Sequence, residues 1–299
     1  MPRRPCTPNP EPDLKYGAHV FLWLDRYGDD DLASLLQKAQ GLGLAFLEVS
    51  VGDDMHFDAE LLGRRASSLG VELVISPGGL WPMECDISLA DKRDRQRGLA
   101  WHKRALDGAG ACGALAYAGA IYGHPGRVGP RPPSQAEKER IADGLHELAE
   151  YGAERNVLVA LEPMSHFRTH VANEPRQLNE LIRLADHKNI RIQLDTYHLA
   201  TEVGSYAEAI GEAMPRLWSV HACESNRGVP GTGILPWDEI LGGLKAHRWD
   251  GHVAFESYNS SVRGGKFAFS RGMFHDVCPD GDEFVRAALA FISAARPPA

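Results

Sequence analysis

The amino-acid sequence predicts an α/β protein built as a single (β/α)8 TIM barrel. Short apolar, β-branched or aromatic runs recur eight times, and each is followed by a longer stretch of helix formers or loop. Near-continuous apolar strands alternating with helices imply a parallel sheet covered on its outer face. Eight such units over about 280 residues suit a closed barrel better than an open doubly wound sheet. In addition, no Gly-rich phosphate-binding turn follows the first run, which argues against a dinucleotide-binding fold.

In chain order the strand-like runs are 17-GAHVFLW-23, 45-AFLEVSV-51, 71-VELVISP-77, 114-ALAYAGAI-121, 157-VLVALEP-163, 190-IRIQLDTYHL-199, 217-LWSVHA-222 and 252-HVAFESY-258. Helices are expected over 29–43, 134–156, 236–248 and 282–296, among others. Ser134 followed by Glu137 reads as a capping box, and Gly43 and Gly70 stand where helices should stop. Residues 1–14, rich in Pro, are expected to be a disordered tail, and 15–299 the catalytic domain.

The net charge of −8 argues against a nucleic-acid partner, whose binding usually needs a basic face. No run approaches the roughly 18 apolar residues that span a membrane, and no apolar segment follows the start as a signal peptide would. The five cysteines, Cys6, Cys85, Cys112, Cys223 and Cys278, are odd in number and form no CxxC pair. Neither a disulfide framework nor a structural zinc site is indicated, so a reducing, cytoplasmic setting is expected.

Chemistry in such barrels collects at the C-terminal ends of the strands. Strand five ends in 161-LEP-163, strand six in 194-LDTYH-198, strand seven in 219-SVHACE-224 and strand eight in 254-AFESY-258. Glu162, Asp195, His221 and Glu256 therefore arrive at one end of the barrel, with gaps of 33, 26 and 35 residues, each about one strand-plus-helix unit. A charge inside an apolar strand is costly to bury unless it is paired or metal-bound. Any one of the four could be a salt-bridged rim residue. All four together are better explained by a shared divalent cation. Three carboxylates and an imidazole favour Mn²⁺, with Co²⁺ or Mg²⁺ as alternatives, over a tetrahedral zinc site.

The segments 190-IRIQLDTYHL-199, 221-HACESNRGVPGTGILPWDEI-240 and 254-AFESY-258 resemble the D-tagatose/D-allulose (ketose) 3-epimerase family of the xylose-isomerase-like superfamily. The HxxExxR…PGxGxxPWxEI pattern is the most specific part. The resemblance implies that Glu162, Asp195, His221 and Glu256 hold the metal, that His198 and Arg227 bind the substrate near its carbonyl, and that Glu224 supports them. Elementary chemistry agrees. Epimerising a ketose at C3 removes a proton α to the carbonyl and returns it to the other face through a cis-enediolate. A Lewis-acidic ion stabilises that charge, and two carboxylates, Glu162 and Glu256, serve as base and acid. An aldose–ketose isomerase or a keto-sugar lyase on the same barrel starts with the same enolisation. An apurinic-site endonuclease, a third relative, would need a His-rich zinc cluster and a DNA-binding face.

Phe21, Trp23 and Trp81 lie at or just past strand ends and are candidates for an apolar sugar pocket, or else plain barrel packing. His19, inside the first run, reads as a core or rim histidine. The 264–276 stretch and the 124–133 loop are candidates to cover the site or, for the first, to contact another subunit; a dimer or tetramer is expected. One place departs from the family pattern. Where relatives read roughly E-x-x-N-R-F-E, this chain has 162-EPMSHFR-168, with Ser165 for Asn, His166 for Arg, and Arg168 for a carboxylate. The change removes an acceptor and brings five donors. Either Arg168 turns to solvent, or the chain prefers a keto sugar with an anionic or acceptor-rich group at that end.

Overall fold

The eight apolar runs form eight parallel strands that pair in chain order and close on themselves, β8 returning to β1. The structure, a computed structural model, describes residues 14–53, 56–78, 81–258, 266–274 and 276–295. The expected tail lies outside these residues, except for Leu14, which is buried in the core. The strands are β1 (Lys15–His19), β2 (Phe46–Ser50), β3 (Glu72–Ser76), β4 (Ala116–Gly119), β5 (Leu158–Leu161), β6 (Ile190–Asp195), β7 (Leu217–Ala222) and β8 (His252–Phe255). Between and after them run α1 (Asp29–Gly41), α2 (Ala59–Leu69), α3 (Lys92–Ala111), α4 (Gln135–Ala153), α5 (Pro175–Ala185), the short α6 (Thr196–Leu199), α7 (Tyr206–Ala213), α8 (Trp237–Ala246), the short α9 (Lys266–Ser270) and α10 (Gly281–Ala295). Among the described residues no helix is long and apolar enough to cross a membrane.

Two apolar layers result from the period-2 alternation of the strands. The larger lies between sheet and helices, where α5, for example, buries Leu178, Leu181, Ile182 and Ala185. The smaller comprises Phe46, Val74, Ala116, Ala118, Ala160 and Ala254, all from strands. Phe46, Ala160 and Ala254 each precede an acidic residue by two positions: Glu48, Glu162 and Glu256. Residues two apart share a face, so the acids stand directly above an apolar plug.

Several strands are shorter than their apolar runs. The first run turns into a 3₁₀ helix, Val20–Leu22, because the His19 ring accepts the Phe21 amide at 3.1 Å. The sixth stops at Asp195, whose carboxylate caps α6 by accepting from the Tyr197 amide at 2.8 Å. The would-be ligand is thus also the strand's terminator. Gly43 and Gly70 adopt positive φ after α1 and α2, as expected of helix stops. At α4, Ser134 accepts from the Glu137 amide, but the return half of the expected box is replaced: Glu137 lies against His170 at 3.1 Å and Arg131 at 3.5 Å. Cationic and imidazole partners outbid a single exposed amide. Cys85, Cys112, Cys223 and Cys278 are buried free thiols.

Helix α3 crosses the turn Met83–Cys85 so closely that a Cβ at Gly98 would stand 2.7 Å from the Cys85 carbonyl carbon. Backbone cannot swing aside as a side chain can. Gly98→Ala should therefore cost about 1–3 kcal/mol, lowering the melting temperature by roughly 2–4 °C per kcal/mol. Calorimetry reads this directly, and an unchanged or higher melting temperature would mean that α3 is free to shift.

A buried acidic cluster at the mouth of the barrel

The register brings the functional side chains together pairwise. His19 on β1 stands beside Glu48 on β2, and Asp195 on β6 beside His221 on β7. Glu162 and Glu256 follow immediately after β5 and β8. One ligand atom from each of Glu162, Asp195, His221 and Glu256 lies within 4.8 Å of the others, and all four residues are buried. These are the four residues expected from the strand ends.

Glu48 is a fifth charged member that sequence reading passed over. Its carboxylate stands 2.9 Å from His221 Nε2, while Glu256 Oε2 stands 2.8 Å from Nδ1. Burial alone would lower the His221 pKa, but Glu48 and Glu256 outweigh it and raise it well above the ordinary imidazole value. The signal was present: 45-AFLEVSV-51 embeds a carboxylate in an apolar run just as VALEP does.

Arg227 closes the cluster. Its Nη1 donates to Glu256 Oε2 at 2.7 Å and stands 2.7 Å from Asp195 Oδ2. The second contact is an ion pair without hydrogen-bond geometry, so Asp195 Oδ2 is buried with no hydrogen bond. The guanidinium lies over the Tyr197 ring at 4.2 Å and near that of Tyr258 at 5.1 Å. Tyr258 in turn donates to Glu256 Oε1 at 2.9 Å. Burial raises the Glu256 pKa, but Arg227 and His221 overcome it and hold this carboxyl well below the usual range. Glu162 moves the other way: burial, with Asp195 and Glu256 adding to it, raises its pKa well above the usual range despite His221. The two carboxyls thus occupy opposite electrostatic environments.

The loop from 224 to 237 explains the HxxExxR…PGxGxxPW pattern. Glu224 is fully buried and accepts from the amides of Ser225, Gly231 and Leu235 and from the Trp237 indole at 2.6 Å. A side chain at Gly233 would collide with the Glu224 carboxylate, and one at Gly231 with the Phe291 ring. Folded about Glu224, the loop holds Arg227 at φ 66°, a left-handed conformation unusual for a residue with a Cβ.

His198 lines the same cavity. Ser165 Oγ lies 2.9 Å from its Nδ1, and Arg227 Nη2 lies 3.3 Å from its Nε2. The Ser165 amide also donates to Nδ1, at 3.3 Å, so Ser165 holds this nitrogen by both its backbone and its side chain. Burial first, then Arg227, pull the His198 pKa well below its ordinary value, so the ring is neutral. Ser165, seen in the sequence only as a departure from the family pattern, is the residue that orients this ring.

The remaining candidates divide. Trp81 and Arg168 line the cavity, and so does His19, whose Nε2 lies 3.1 Å from Ser50 Oγ. Trp81 packs on Trp101 with centroids 5.9 Å apart. Arg168 does not turn out to solvent: it is half-buried and donates to the Pro125 carbonyl at 3.1 Å. Pro125, Arg271 and Met273 border the cavity, so both the 124–133 and 264–276 loops contribute to its rim; residues 264, 265 and 275 lie outside the described residues. Trp23 is the exception. It is not brought to the cavity, because its indole donates to Asp282 on α10 at 2.7 Å and packs against Gly281. Phe21 sits behind the wall, its ring 4.5 Å from that of His19.

Comparison with known proteins fits this geometry. The chain is 27% identical over 285 residues to the ketose 3-epimerase of Arthrobacter globiformis, covering 93% of this chain and 96% of that protein. It is 26% identical to the D-psicose 3-epimerase of Agrobacterium fabrum, covering 93% and 98%. A solved L-ribulose 3-epimerase superposes with a TM-score of 0.87 at 26% identity, covering 94% of each chain. A sequence profile of the xylose isomerase-like TIM barrel matches residues 36–291, nearly the whole described barrel, and the chain belongs to that family.

Proposed function

We propose that this chain is a divalent-metal-dependent ketose 3-epimerase. One observation carries the reading: Glu162, Asp195, His221 and Glu256 converge within 4.8 Å in a buried cavity. Their chemistry fits a hard cation, and the buried Asp195 Oδ2, which accepts no hydrogen bond, is the kind of atom such an ion satisfies. The 3-epimerase relatives support the reaction type. When bound, the ion supplies Lewis-acid charge beside the enolising carbonyl.

The protein's own groups do the rest. Glu162 and Glu256 enter from β5 and β8. One takes the C3 proton; the other, protonated, delivers its proton to the opposite face, so one proton leaves and one returns. Negative charge grows meanwhile on the carbonyl oxygen, and the Arg227 guanidinium, held against His198 at 3.3 Å, faces it as a donor already positioned. Glu48 holds His221 by one nitrogen and leaves the other for the ion, the arrangement that fixes ring tautomer and orientation at histidine metal sites. Mn²⁺ is the ion we favour, on the hardness of the donor set. A homo-oligomer and a reducing cytoplasmic setting go with the reading, the latter supported by the four buried free thiols.

Incubating D-fructose or D-tagatose with enzyme in D₂O should place deuterium at C3 of the product, read by NMR. Label confined to C1 would instead identify an aldose–ketose isomerase, and loss of a substituent a lyase. Chelation should abolish the exchange and Mn²⁺ or Co²⁺ restore it; full activity after exhaustive chelation would exclude the metal site.

Glu256→Gln should lower kcat by about 10²–10⁴-fold and leave KM much less affected. Glu48→Gln should weaken Mn²⁺ binding by about 10–100-fold, measured by calorimetric titration of the metal-free protein. Unchanged affinity would remove Glu48 from the site's support.

A further inference from the structure

The two carboxyl oxygens of Glu256 are held in different ways. Oε2 stands 2.8 Å from His221 Nδ1 and accepts from Arg227 Nη1 at 2.7 Å, so it is turned to the other members of the cluster. Oε1 accepts from the Tyr258 hydroxyl at 2.9 Å. Tyr258 and Glu256 both line the cavity. The Tyr258 ring is itself supported from two sides. It meets the ring of Phe21 at a steep angle, with centroids 6.1 Å apart and planes at 64°. The Arg227 guanidinium stands 5.1 Å from its centroid. Phe21 is buried in the 3₁₀ turn that His19 caps, so one of these supports is the barrel wall.

A carboxyl held by one oxygen keeps a degree of freedom. The terminal torsion of a glutamate is broad, and Oε1 can swing about a fixed Oε2. A donor on Oε1 removes that swing. An ionised carboxylate oxygen offers about two lone-pair sites, so the phenol uses one and leaves another for a proton in flight. Alignment of this kind matters for rate, since a misplacement of about 1 Å at a reacting group costs about 100-fold.

We propose that Tyr258 is a positioning residue for the epimerisation: its hydroxyl fixes the plane of the Glu256 carboxyl, so that Oε1 meets one face of C3 in line for proton transfer. This rests on the 3-epimerase reading. The effect is one-sided, because Tyr258 serves Glu256, while Glu162 works on the other face of the sugar. Loss of the hydroxyl slows proton transfer on one face and leaves the other intact.

Tyr258→Phe keeps the ring against Phe21 and Arg227 and removes the hydroxyl alone. D-Fructose and its C3 epimer, D-allulose, are each incubated in D₂O with wild type and variant. Mn²⁺ is held at a level that calorimetric titration shows to saturate each protein. NMR then reads deuterium at C3 in the product and in the recovered substrate. The variant's kcat should fall about tenfold, within what a hydrogen bond to a charged group carries, and KM should change by less than about twofold. For the epimer whose C3 hydrogen faces Glu162, the proton still leaves at the ordinary rate. Glu162 exchanges it with solvent and returns deuterium to the same face, because delivery from Glu256 is slowed. The ratio of label in recovered substrate to label in product should then rise about tenfold for that epimer. For the other epimer, removal by Glu256 is itself the slowed step, so the ratio should not rise. A general loss of stability does not produce a rise from one epimer alone. A rise from both epimers or from neither overturns the inference, as does a higher KM at unchanged kcat, which makes Tyr258 a substrate-binding group instead. Wild-type exchange on either sugar without the one-sided change sinks this inference alone. No wild-type exchange on either sugar sinks the epimerase reading with it.

Discussion

Four carboxyl groups, of Glu48, Glu162, Asp195 and Glu256, are buried together at one end of the barrel, and much of the surrounding structure follows from having to tolerate them. Burying ionised groups costs several kcal/mol each unless opposite charge and hydrogen bonds compensate. His221, seated between Glu48 and Glu256, and Arg227, seated between Glu256 and Asp195, supply part of that charge. Those two groups do not reach every carboxyl: Glu162 is held well above the usual carboxylate range by burial, and Asp195 Oδ2 still lacks a hydrogen bond. The cation proposed for this cluster would relieve that strain.

That requirement reaches outward into the loops. Arg227 meets both acids from a left-handed backbone position, and the 224–237 loop holds it there by wrapping its amides and the Trp237 indole around Glu224. A carboxylate that never touches the cavity thus sets the position of the guanidinium that does. The same logic operates across the barrel, where Ser165 turns His198 so that Nε2 faces Arg227. Beneath, Phe46, Ala160 and Ala254 form part of a buried apolar layer directly below Glu48, Glu162 and Glu256.

Much of this was legible in the sequence, for physical reasons that also mark where legibility stops. Strand order and the four would-be ligands could be read because an isolated charge in an apolar strand is a strong anomaly and recurs at the barrel's own period. Glu48 carries the same anomaly but lies on β2, outside the consecutive strands β5 to β8; it is six strands before Glu256 along the chain, yet only two away around the ring through β1. Closure of the barrel, which pairs β8 with β1 and β1 with β2, turns that sequence distance into contact with His221. Trp23 was misplaced because an aromatic past a strand end satisfies the pattern whether it faces the cavity or, as here, Asp282. Strand lengths were overestimated at His19 and Asp195, since hydropathy does not register that a polar side chain has captured the next free amide. Side-chain capture of that kind is a three-dimensional event with no apolar signature.

The cavity that results is polarised along its depth. Its floor carries the acids and the groups that engage them; its rim carries Arg168 and Arg271, oriented by the carbonyls of Pro125 and Gly78. The rim residues come from loops after β5 and β8, the same two strands that deliver Glu162 and Glu256. The chain at and after each of these strands therefore contributes a carboxyl group and a guanidinium to the lining of one pocket. The chemistry at C3 needs the floor, which the strands build; selectivity can be reset at the rim, where a single loop residue such as Arg168 changes the sign of the local charge without disturbing a strand.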